Sequence, residues 1–87
     1  MKDHHDKTFE LVTNLDRAAI EARLAEVREA AESMLLADLA QQLTGVAGKS
    51  REELAARVSA AMVCARDAGQ KQLLAQLEMV ELNLPNL

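Results

Sequence analysis

Apolar residues recur at three- and four-residue spacing along two stretches of the chain, with one short polar segment between them. The first stretch, residues 8–43, carries Phe9, Val12, Ile20, Leu24, Val27, Ala31, Leu35 and Leu39. The second, residues 51–84, carries Leu54, Val58, Met62, Ala65, Gly69, Leu73, Leu77, Val80 and Leu84. This spacing keeps one face of an α-helix apolar, so the pattern predicts two long helices. Each would run about 50 Å at 1.5 Å per residue. The separator, residues 44–50, holds Gly45 and Gly48 and ends at Ser50. Gly45 can adopt the left-handed backbone that ends a helix. Ser50 with Glu53 has the spacing of a capping box, and Glu52 and Glu53 suit the positive end of a helix dipole. Two weaker breaks are visible. Thr13 with Asp16 has capping-box spacing and would start a helix at Asn14. Gly69 costs about 1 kcal/mol inside a helix, but the apolar stripe keeps its phase across it.

Folding the two stretches about the Gly45–Gly48 turn predicts an all-α antiparallel hairpin. Leu39 then lies opposite Leu54, Leu35 opposite Val58, Ile20 opposite Leu73, and Gly69 reads as clearance for Leu24. Asp16, opposite Leu77, breaks the pattern. A hairpin leaves a second set of apolar positions over: Leu11, Leu15, Leu36, Leu43, Val63, Leu74 and Leu82. Soluble monomers avoid exposing a patch of that size. These seven residues are therefore the expected interface, either with a second copy, giving a four-helix bundle, or with another helical protein. The alternative fold is a monomeric three-helix bundle broken at Gly69 or Asn14. Residues 1–7 read as a flexible end, 8–84 as one helical domain, and 85–87 as a tail beyond the helix-stopping Pro85.

Composition narrows the picture. With 87 residues the chain makes one domain whose core is marginal for its size. Cys64 is its one cysteine, so no intrachain disulfide exists and a reducing, cytoplasmic setting is expected. The net charge of -4 and a single aromatic residue, Phe9, argue against nucleic-acid binding. No run approaches the ~20 apolar residues of a membrane helix, and residues 1–7 do not read as a targeting signal.

Candidate chemistry is sparse. Residues 45–50 end in Gly-Lys-Ser like a phosphate-binding loop, but that pattern needs glycine where Leu43 stands and a strand before it. His4 and His5 are adjacent on a chain end, which does not give the i,i+4 geometry of a helical metal site. Cys64 falls between the core stripe and the exposed face and lacks the cations that activate a thiol. Ser33, Ser50 and Ser59 have no histidine to activate them. Met34, Met62 and Met79 read as core filler. No catalytic, cofactor or metal residues are assigned. The expectation is a small non-catalytic cytoplasmic interaction module, such as an adaptor, chaperone-like protein or regulatory subunit, acting by helix–helix contacts. A self-assembling homodimer is the alternative. A nucleic-acid regulator using the basic start of the second stretch ranks third.

Overall fold

The computed structural model describes residues 15–87, and over that span the chain is all-α. Four helices follow one another: α1 (Arg17–Ser33), α2 (Ala37–Gln42), α3 (Arg51–Asp67) and α4 (Lys71–Asn83), with a closing 3-10 turn at Leu84–Asn86. Phe9, Leu11, Val12 and Asn14 lie outside the described residues, as do His4 and His5.

Each end of α1 and α3 has a local cause. Asp16 caps α1, its carboxylate accepting the Ala19 amide at 2.9 Å. The residue that marred the hairpin register is thus the helix start. Ser50 caps α3 in the same way, accepting the Glu53 amide at 3.2 Å. Gly45 and Gly48 take positive φ in the turn before it.

The two long helices expected from the stripes are each broken in two. At Gly69, φ is +71°, the Gln70 amide returns to the Ala65 carbonyl (2.9 Å) and the Gly69 amide to that of Arg66 (3.0 Å). These two bonds make a Schellman stop. Gly69 is therefore a terminator and not clearance for Leu24; a Cβ placed there would meet nothing within 4 Å. The second break, at Leu35, carries no glycine or proline to announce it. There φ is +61°, the Leu36 amide returns to Ala31 (2.8 Å) and the Leu35 amide to Glu32 (3.1 Å). It is the same stop built on a leucine. Leu35, placed on the core stripe by periodicity, is 88% exposed, and Met34 beside it is 48% exposed instead of filling the core.

These breaks expose an internal relationship. Shifting α1 by 34 positions, Arg17 to Arg51, lays it on α3 end for end. The caps Asp16 and Ser50 coincide, as do the left-handed residues Leu35 and Gly69. The buried positions Ile20, Leu24, Val27 and Ala31 fall on Leu54, Val58, Ala61 and Ala65. Further along each half, Leu39 of α2 with Leu43 and Val46 just beyond it fall on Leu73, Leu77 and Val80 of α4, all buried. Several of these pairs are identical in sequence: Ala31/Ala65, Leu39/Leu73, Leu43/Leu77 and Val46/Val80, as are Arg17/Arg51 and Arg23/Arg57 outside the core. The chain is two helical hairpins in tandem.

The hairpins pack on each other. Besides the pairs within each half, α2 packs on α3 and α1 on α4, which closes a ring of four helices. A solenoid would leave first and last helices apart. The equivalent arginines cross between halves: Arg23 reaches Met79 of α4, and Arg57 donates to the Gln42 carbonyl at 3.4 Å. One apolar core runs through both halves, from Ile20 to Leu84. Four helices of a single chain thus surround that core.

The ring is fastened at one end by Asn83, the only buried polar residue among those described. Its Oδ1 accepts the Leu15 amide (3.0 Å) and the Asn86 side-chain amide (3.0 Å), and its Nδ2 donates to the Met79 carbonyl (2.8 Å). Asn86 Nδ2 also reaches the Leu15 carbonyl at 3.3 Å. The C-terminal tail thus docks within the chain, with Leu84 buried against the core.

Candidate functional site

The seven residues expected at an interface do not form one surface. Leu43 is 1% exposed and belongs to the core, so it is not available to a partner. Its burial follows from the break at Leu35, which turns α2 back across α1 and brings the second stripe inward. Leu15, Leu36 and Leu74 are half-buried against the chain's own core. Val63 and Leu82 are exposed, at 50% and 66%. Leu11 lies outside the described residues.

Leu82 belongs to the end of the bundle where α4 finishes beside Leu15. Leu35 follows the other end of α1, a helix about 25 Å long at 1.5 Å per residue. The two are therefore at opposite poles. At the Leu35 pole a cleft of about 480 Å³ lies between the α1–α2 link and the end of α3. Leu35, Leu36 and Leu39 form one wall, and Cys64 and Ala68 the other. Val63 stands one turn before Asp67, on the flank of the same helix end. Two carboxylates, Asp38 and Asp67, also line the cleft.

Neither carboxylate has an ion-pair partner among the described residues, where the pairs are Arg17–Glu21, Arg51–Glu52 and Arg57–Glu53. Asp67 is the last residue of α3, at the negative end of its dipole, where a carboxylate is unfavourable. Leu35 adds a second local cost. A leucine in the left-handed region gives up roughly 1–2 kcal/mol relative to ordinary backbone.

Comparison with family models, with curated proteins and with solved structures finds no match. The geometry is thus the whole basis for a functional reading.

Other candidate chemistry resolves into structure. The turn before α3 does not offer its amides to a phosphate: the Gly48 amide donates to Glu21 Oε2 at 3.0 Å, and Arg17 binds the Lys49 carbonyl at 3.0 Å. Ser50 is occupied as the helix cap. Among the described residues no group of acidic, histidine or cysteine side chains is placed to hold a metal ion. No helix among them is long and apolar enough to cross a membrane. Cys64 is half-buried in the cleft wall, as its position between stripe and surface predicted.

Sequence reasoning missed Leu35 because its spacing fits the core stripe. The signal that finds it is the internal repeat: Leu35 aligns with Gly69, so one position carries glycine in one half and a large apolar residue in the other.

Proposed function

We propose that this chain is a small non-catalytic protein–protein interaction module of the cytoplasm, an adaptor or regulatory subunit that meets its partner through helix contacts at the Leu35 pole. The observation that carries this reading is Leu35 itself. It sits in a backbone conformation that glycine fills at lower cost, and its side chain is 88% exposed and adds little to the fold. Strain of this kind persists where the surroundings or a function require it. The neighbouring cleft is lined by leucines and by carboxylates that lack partners within the described chain.

The self-associating homodimer is the second reading. Its motive is the second apolar stripe, of which Leu43 is buried and Leu15, Leu36 and Leu74 are half-buried within the chain. Among the described residues, the large apolar side chains left exposed are Met34, Leu35 and Val63 at one pole and Leu82 at the other, a small set beside the ~800 Å² per partner of a stable interface.

The test is a photo-crosslinking amino acid placed at Val63 in the intact chain inside cells, with Glu78 as the control position. Crosslinks to a different protein from Val63 and none from Glu78 support the reading. Crosslinks only between copies favour the homodimer, and equal yields from both positions overturn both readings.

A further inference from the structure

We infer that the cleft between the α1–α2 link and the end of α3 receives a basic amphipathic helix of another protein, with Leu35 as the apolar anchor and Asp38 and Asp67 as the counter-charges. This rests on the interaction reading above and names the chemistry of the partner. Three independent features fix that chemistry. The first is the apolar wall of exposed Leu35 and half-buried Leu36, backed by buried Leu39, which suits leucine-like side chains repeating along one helix face. The second is the sign of the rim. Both charged residues lining the cleft are carboxylates, both lack an ion-pair partner in the described chain, and Asp67 also faces the negative dipole end of its own helix. Asp38, in the first turn of α2, is held at a helix end that favours its charge; a cation placed in the cleft pairs with both carboxylates and relieves the dipole clash at Asp67, and an acidic segment is repelled. The third is scale. One strained leucine and a cleft of about 480 Å³ fit a single docked helix with one or two anchors, whereas a second copy of the chain would need far more apolar surface than the described residues expose. The internal repeat supports the assignment. At the equivalent place in the second half the anchor is Gly69, so only one pole position of the pair is equipped for docking.

Cys64 in the cleft wall is the chain's one cysteine and serves as a native reporter. The experiment selects binders to the intact protein from a displayed library of 16-residue amphipathic helices randomised in charge. Binding is then measured by calorimetry and by the rate of Cys64 alkylation. The expected result is enrichment of lysine and arginine beside leucine anchors, with Cys64 alkylation slowed by saturating peptide. Leu35→Asn, which tolerates the left-handed backbone and so keeps the fold, should weaken binding roughly 10–100-fold. Asp38→Asn and Asp67→Asn should each weaken it about 2–5-fold at low salt and less at high salt.

Selected helices that are acidic or neutral overturn the inference. Binders that ignore Leu35→Asn and leave Cys64 alkylation unchanged also overturn it, while the broader interaction reading stands on another face. A concentration-dependent dimer that protects Cys64 gives the cleft to a second copy and overturns it. Cys64 already protected in the monomer, with crosslinks from Lys7 to α3, gives the cleft to the chain's own first residues with the same consequence. Failure to select any saturable binder counts against both readings.

Discussion

Leu35 and Gly69 stand 34 positions apart at the same step of the fold: each is the left-handed residue that ends a 17-residue helix, with φ of +61° and +71°. The backbone bonds around them are the same, yet only one of the two is the residue that this geometry favours. The leucine pays for a conformation the glycine adopts freely.

Leu35→Gly is therefore expected to stabilise the chain. Relief of the left-handed penalty, less the extra freedom glycine has when unfolded, leaves a net gain of about 0.5–1 kcal/mol. Gly69→Leu should cost about 1–2 kcal/mol by the same reasoning. Urea midpoints at unchanged slope measure both. A destabilised Leu35→Gly variant would show that the side chain is held by the fold after all.

The closed ring predicts the state of the free protein. Because α4 packs on α1 and seals the core, the purified chain should sediment as a 9.5 kDa monomer at tens of micromolar. An obligate dimer in sedimentation equilibrium would mean that a further apolar surface is being covered.

Asn83 is buried, and its amide holds Leu15, Met79 and Asn86 together. Asn83→Leu leaves the Leu15 amide and Met79 carbonyl without those partners, and a cost of about 2–4 kcal/mol is expected. Amide exchange at Leu15 should accelerate in step. Asn83→Leu with unchanged exchange at Leu15 would show the clasp to be dispensable.

Core and surface leucines should separate cleanly. Leu24→Ala and Leu43→Ala remove fully buried side chains and are expected to cost about 2–5 kcal/mol each. Leu82→Ala and Val63→Ala, on exposed positions, should stay within about 0.5 kcal/mol of the parent. Chemical denaturation of the four variants distinguishes a partner face from a core position, and Leu43 is the decisive case.

Much of the local structure was legible without coordinates. The Ser50 cap, the left-handed Gly45 and the helical periodicity of both stretches follow from short-range chemistry. The break at Gly69 is among the alternatives the sequence offers; the break at Leu35 is not. A three-and-four stripe survives a helix break when the residues after it happen to resume the same phase, as Leu39 does after Leu35. A straight rod and a folded hairpin then share one apolar pattern. A stripe that looks surplus on a straight rod includes residues such as Leu43, which that break turns inward.

The sequence alone determined that the chain is helical, where α3 begins, and which face of α1 and α3 is apolar, because caps and periodicity act within a few residues. Tertiary structure decided that Leu35 stops a helix and that α4 closes against α1. It also decided that Leu43 is core while Leu35 is surface. A leucine enters the left-handed region only when packing of the helices on both sides outweighs its local penalty, and that balance is struck between residues distant in the chain.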